Sequence, residues 1–254
     1  MTCLSLTCLY AVTALLSLTA TGQVSSAPPP PLEYVCHFTT IAPKIDGKLD
    51  DVVWQKAPWT SDFVDIEGAA KPAPRFHTRV KMLWDHRYLY IAAQMEEPDV
   101  KATLTQHDSV IFEDNDFEVF LKPLPSTASY YEFEINALNT GWDLFLPKPY
   151  RMGGEADNSW DIQGLQTAVA VQGTLNNSSD KDQGWTVEIA YPLNAFQSRQ
   201  QVPPPQDGTT WRMNFSRVEW KAGQPKEDNW VWTPQGLIDM HVPEHWGFLR
   251  FRAD

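Results

Sequence analysis

The sequence predicts an all-β fold: an antiparallel β-sandwich, jelly-roll-like, with one short N-terminal helix. Three observations carry this expectation. In segment after segment apolar residues recur at every second position, the period of a strand with one covered face. Pro, Gly and Asn punctuate the chain between these short segments, as they do in sandwiches. Beyond residue 33 no second linker and no internal repeat breaks the pattern, so residues 34–254 read as one domain, a size that all-β domains often fill singly.

In chain order, residues 1–22 read as a signal peptide. Leu4 to Leu18 is apolar but diluted by Ser and Thr, and too short to span a bilayer well. The small residues Ala20-Thr21-Gly22 suit cleavage before Gln23, although no Lys or Arg precedes the apolar run; the alternative is an uncleaved anchor. The mature chain is therefore expected outside the cell. Residues 23–33 form a Pro-rich linker containing Pro28 to Pro31. Cys3 and Cys8 fall in the leader, which leaves Cys36 without an internal disulfide partner; it reads as a small buried hydrophobe.

The turn Ile45-Asp46-Gly47 precedes the expected short helix, with Asp50 as its cap and Trp54 pointing inward. Val80, Met82 and Trp84 alternate with Arg79 and Lys81, and Tyr88 to Ala93 is apolar on both sides, as a central strand would be. Phe117, Val119 and Leu121 alternate with Asp116 and Glu118; Tyr131, Phe133 and Ile135 alternate with Glu132, Glu134 and Asn136. Further strands follow at Trp185 to Tyr191, Trp211 to Trp220 and Trp246 to Phe251, and Pro203-Pro204-Pro205 reads as a surface loop. In the strand from Trp211 the apolar parity changes after Phe215. A β-bulge near Ser216-Arg217 would explain this and would turn Arg217 and Glu219 to the polar face.

Composition narrows function. A net charge of −12 disfavours nucleic acid and anionic membrane surfaces as partners, and a monomer is expected. Eleven Trp exceed what most cores take, which hints at a stacking site in addition to buried rings. The polar strand faces carry Asp116, Glu118, Glu132, Glu134, Asn136, Arg212 and Asn214. Such a face is ordinarily just solvated. Here neighbouring strands would crowd several carboxylates together, which destabilises a sheet unless something compensates. Arg212 and Arg217, a cation, or a ligand rich in hydroxyl donors would do so. A sugar ring fits the last description, and Phe112, Trp142, Trp160, Trp230 and Trp232 offer rings for its C–H faces.

Read together, these blocks resemble carbohydrate-binding module family 9, in its stand-alone secreted form. The resemblance rests on Ile45-Asp46-Gly47-Lys48-Leu49-Asp50-Asp51-Val52-Val53-Trp54, Met82-Leu83-Trp84-Asp85, Asp114-Asn115-Asp116-Phe117-Glu118-Val119-Phe120, Tyr131-Glu132-Phe133-Glu134-Ile135-Asn136-Ala137, Asn214-Phe215-Ser216-Arg217-Val218-Glu219-Trp220, Asn229-Trp230-Val231-Trp232-Thr233-Pro234 and His245-Trp246-Gly247. It implies a β-sandwich that binds glucan- or xylan-type sugars at chain ends, with two aromatic rings clamping one sugar. Carried over residue by residue, it implies Phe112 and Trp232 as the clamp, with Glu118, Arg217 and Asn229 reaching the hydroxyls and Glu134 and Asn136 beside them. Phe112 departs from the family's Trp, with less stacking area and no N–H.

No catalytic residue, metal ligand or cofactor is assigned. Glu113-Asp114-Asn115 offers oxygen atoms of the kind structural calcium takes, but no EF-hand pattern occurs. Two other readings remain open. A glycoside hydrolase would use two of the clustered carboxylates. A haem-binding electron-transfer module would draw on Met82, Met95, Met213, Met240, His107, His241 and His245, of which Met82 and Met213 fall on apolar faces. Asn176 and Asn177 match the N-glycosylation pattern in a polar loop; Asn214 matches it inside a strand.

Overall fold

The alternating segments become strands where their apolar faces can meet. The computed structural model describes residues 30–253; the expected signal peptide and most of the expected linker lie outside them. Strands β1 (Glu33–Phe38), β2 (Val64–Asp65), β3 (Thr78–Trp84), β4 (Tyr88–Glu96), β5 (Asp116–Lys122) and β6 (Tyr130–Asn136) come first. β7 (Gly141–Leu146), β8 (Gln166–Gln172), β9 (Gly184–Pro192), β10 (Thr210–Glu219), β11 (Asp228–Val231) and β12 (Gly247–Arg252) follow. All twelve join one sheet in the order β7-β6-β5-β10-β12-β1-β3-β4-β9-β8, with β11 beside β10 and β2 beside β11.

The sheet curls on itself around a shared interior. Phe117, Val119 and Leu121 from β5 pack in one cluster with Val80 and Met82 from β3 and Val187 and Ile189 from β9. Cys36 is buried there, as expected of it. Among the described residues there is no α-helix. In place of the expected short helix, a 3-10 turn spans Val52–Lys56; Asp51 rather than Asp50 stands at its start, and no side chain caps it. The sheet is also mixed rather than antiparallel. β1 runs parallel to both β12 and β3, with Tyr34 opposite Leu249 and His37 opposite Leu83. Strand direction leaves no trace in side-chain alternation, so the sequence could not reveal it.

The Ile45-to-Trp54 block has a structural task. Glu188 of β9 is fully buried. Its Oε2 accepts the backbone N–H of Asp46 (3.0 Å) and Gly47 (2.9 Å), and its Oε1 accepts the indole N–H of Trp54 (2.7 Å). Gly47 has φ of 81°, and a Cβ there would stand 2.6 Å from the Val169 backbone, so the turn can lie flat on β8 only as glycine. The Ile45-to-Trp54 segment is thereby pinned across β8 and β9 and does not approach the polar face of β5 and β6.

Two of the asparagines that match the glycosylation pattern, Asn176 in the polar loop and Asn214 in β10, are tied into the fold by their amides. Asn176 has φ of 62°, and its amide exchanges hydrogen bonds with both backbone groups of Ala102, 3.0 and 2.9 Å long. Asn214 is fully buried, its amide bonded to the backbone of Thr233.

Candidate functional site

Antiparallel pairing of β5 with β6 puts Glu118 directly opposite Glu134 and Phe120 opposite Glu132. The row continues outward on both sides, through Trp142 of β7 opposite Glu134, and through Ser216 of β10 opposite Glu118. Period-two alternation then sends these side chains to the sheet face away from the main interior. A second apolar cluster, with Phe120, Leu144, Val231 and Met240, covers part of that face. Between its members and the strands lies a cavity of about 280 Å³.

Glu118, Glu132, Glu134, Trp142 and Asn229 line this cavity from the sheet, and Phe112 and Tyr150 line it from the surrounding segments. Phe112 sits on the 3-10 turn Ile111–Glu113, whose Phe112 N–H donates to Glu134 Oε2 at 3.1 Å. The Phe112 and Trp142 rings lie 6.3 Å apart at 33°. Tyr150 packs edge-on to His241, 4.6 Å between ring centres. His241 in turn shares a 2.7 Å hydrogen bond with the Tyr130 hydroxyl.

The carboxylates crowd as the sequence implied, but the expected cations do not relieve them. Arg212 donates to the Trp246 carbonyl at 2.6 Å and lies over the Phe248 ring, 3.9 Å from its centre. Arg217 faces the other way. No Lys or Arg lines the cavity. Burial is the main cause that pushes the Glu118 carboxyl up to about 7. Burial also holds Asp116, Glu132 and Glu134 well above the ordinary carboxylate range, with their like-charged neighbours adding to it. Burial pushes the His241 imidazole down to about 4, so it stays neutral.

Of the residues expected at a site, Phe112, Glu118, Glu134 and Asn229 come together around this cavity, and three do not. Trp232 is a correction: it is 2% exposed, packs against Phe215 in the main interior, and covers Gly247 so closely that a Cβ there would lie 2.5 Å from its ring. Arg217 is a second. β10 pairs with β11 without interruption from Ser216–Val231 to Glu219–Asp228, so no bulge turns it outward. Its guanidinium instead reaches across the interior to Thr78 Oγ1 (3.0 Å) and the Glu96 carbonyl (2.8 Å). It also pairs with Glu97 and Glu219 at 2.9 and 2.8 Å, against the Trp230 ring. Asn136 is the third: fully buried, it donates to the Leu104 carbonyl and Asp114, and accepts from the Leu138 and Thr140 N–H groups. These three hold the fold.

Trp142 and Glu132, named in the sequence only as one of several rings and one of several polar-face carboxylates, also line the cavity. Extending the β5–β6 register one strand to β7 sets Trp142 beside Glu134. Two groups of three side chains among the described residues bring possible metal-ligand oxygens or nitrogens within 4.8 Å: Asp116-Glu118-Glu134, and His107-Asp143-Asp161. Asp114, placed in the sequence among calcium-type oxygens, instead accepts hydrogen bonds from the Thr103 and Leu104 backbone. Met82, Met95 and Met213 lie in the interior, away from the cavity.

A family model described as "Carbohydrate family 9 binding domain-like" matches residues 45–251. Among solved structures, the chain is similar to a candidate carbohydrate-binding protein from Bacteroides uniformis, with a TM-score of 0.69 and 16% identity over 87% of this chain and 100% of the other. It is also similar to a family 9 carbohydrate-binding module from Caldicellulosiruptor kristjanssonii in complex with cellotriose, with a TM-score of 0.60 and 17% identity over 87% of this chain and 94% of the other. The same module in complex with glucose matches equally, over 96% of its length. At these identities the likeness is one of fold. No curated protein matches the sequence.

Proposed function

We propose that this chain, which belongs to the carbohydrate family 9 binding domain-like family, binds a saccharide in the cavity over β5 and β6 and leaves it chemically unchanged. The observation that carries this reading is the lining itself, where exposed rings and hydroxyl acceptors meet. Phe112, Trp142 and Tyr150 offer apolar planes for a pyranose C–H face, while Glu118, Glu132 and Glu134 accept from its hydroxyls and the Asn229 amide can do both. The cavity is smaller than the roughly 300–1,000 Å³ typical of drug-sized ligands, which favours one sugar unit at a chain end. Glucan-type saccharides come first because the C. kristjanssonii module was crystallised with cellotriose and with glucose. Xylan-type saccharides follow from the family resemblance.

Binding is favoured over hydrolysis by the spacing. Two-carboxyl glycosidases set their groups roughly 5–9.5 Å apart, with one ionised and one protonated. Here Asp116, Glu118 and Glu134 place oxygens within 4.8 Å of one another, and burial raises all three in the same direction. Nothing separates an acid from a base.

Calorimetric titration tests the reading. Cellotriose or glucose is expected to bind, and Trp142→Ala is expected to weaken binding by about tenfold, the worth of a stacked ring, with little change in melting temperature. No binding, unchanged affinity in Trp142→Ala, or saccharide cleavage on long incubation would each count against it. The reading includes export: protein recovered from culture medium is expected to begin near Gln23, and recovery of only full-length intracellular protein would refute that.

A further inference from the structure

Resting on the saccharide reading, we propose that the preferred ligand is a cationic amino sugar, whose ammonium group sits among Glu118, Glu132 and Glu134. The cavity is rich in acceptors and poor in donors. Three glutamates line it from the sheet, Glu227 and Asp239 line it from the loops, and no Lys or Arg does. Glu132 is 4% exposed, and its Oε2 has no hydrogen-bond partner. Some side-chain donors nearby are already engaged: the Trp142 indole N–H donates to Asn158, and the Tyr130 hydroxyl shares a hydrogen bond with His241 Nδ1. The Tyr150 hydroxyl and the Asn229 amide are left to donate, fewer groups than the carboxylate oxygens that accept. A neutral hydroxyl both gives and accepts a hydrogen bond, so it makes less use of such a lining than a group that only gives. An ammonium gives three and accepts none. It also supplies the positive charge that Arg212 and Arg217, turned elsewhere, do not.

The rings argue for an organic cation over a bare metal ion. Calcium takes six to eight oxygens; the carboxylates whose oxygens come within 4.8 Å of one another are Asp116, Glu118 and Glu134, a set without Glu132, and a metal would make no use of Phe112, Trp142 or Tyr150. A pyranose carrying an ammonium uses both halves of the lining, stacking its C–H face and satisfying the carboxylates, with cation–π attraction added. N-acetylation would remove the charge and leave one N–H of the three donors.

Titration at neutral pH in the presence of EDTA, with glucosamine, N-acetylglucosamine and glucose as probes, tests this. Glucosamine is expected to bind on the order of tenfold more tightly than either neutral sugar, the scale of one charge-assisted hydrogen bond. Glu132→Gln is expected to shrink that preference to about threefold or less; Glu118→Gln serves as a second variant should the first not fold. Equal binding of glucose and glucosamine would overturn the cationic ligand and leave the saccharide reading standing. Binding of no sugar, cellotriose included, would end both. In a separate titration without EDTA, calcium binding by a protein that does not bind glucosamine would make the cluster a metal site and overturn the proposal.

Discussion

Trp232→Ala is expected to lower stability by about 3–5 kcal/mol, the usual result of emptying a large aromatic site in a packed interior. In a chain of this size each kcal/mol moves the melting temperature by about 2–4 °C, so a fall of about 10 °C or more should be visible. The cause is local and specific. The Trp232 ring fills the space that Gly247 leaves open, contacts Phe215, and is anchored by its backbone N–H on the Phe215 carbonyl at 3.1 Å. Losing it would leave a cavity between β10 and β12 that backbone shifts cannot close, because Asn214 fixes the following residue, Thr233, through both its N–H and its carbonyl. Trp142→Ala, on the cavity lip, is expected to stay within about 1 kcal/mol of wild type. Thermal melts of the two variants read this directly. A Trp232→Ala protein that melts like wild type and loses only saccharide affinity would return Trp232 to the ligand and move the site to the other side of β10.

The reversal at Trp232 and Arg217 marks where alternation stops being informative. It identified β3, β4, β5, β6, β9, β10 and β12 because each has one face that must be apolar. It also foresaw the crowding of Glu118 and Glu134, since adjacent strands with matching patterns place like residues side by side. On β10 the rule misleads. Val218 is apolar but lines the cavity, whereas Arg217 is charged but spans the interior, its charge met by Glu97 and Glu219. The change of parity after Phe215 is a change in what covers each face, not a bulge. One partner, Glu219, is local to β10, but Glu97 comes from just past β4, distant in sequence, and no local pattern announces that contact. β7 was missed because Gly141-Trp142-Asp143 opens it with a polar residue whose partner, His107, comes from far upstream. With β7 unplaced, Trp142 could not be set beside Glu134.

The carboxylate cluster should reverse the usual dependence of stability on pH. Asp116, Glu118, Glu132 and Glu134 all hold their protons more tightly when folded than when unfolded, chiefly because burial disfavours the charge. The folded state therefore binds more protons than the unfolded one in the window above the ordinary carboxylate range, and stability falls as pH rises through it. Below the unfolded pKa both states are protonated and the contribution is fully present; above the folded pKa it is gone. For Glu118 the window runs from 4.5 to about 7, which corresponds to roughly 3 kcal/mol. His241 works in the opposite sense, since burial lowers it to about 4 and the unfolded chain takes up its proton first as pH falls. One imidazole opposes four carboxyls. Urea unfolding of the ligand-free protein is thus expected to show lower stability near pH 8 than near pH 5, and Glu118→Gln is expected to raise stability near pH 8 by roughly 2–3 kcal/mol while changing little near pH 5. Stability that climbs from pH 5 to pH 8, with Glu118→Gln less stable than wild type at the upper end, would mean that a bound cation or an unseen basic partner already neutralises the cluster.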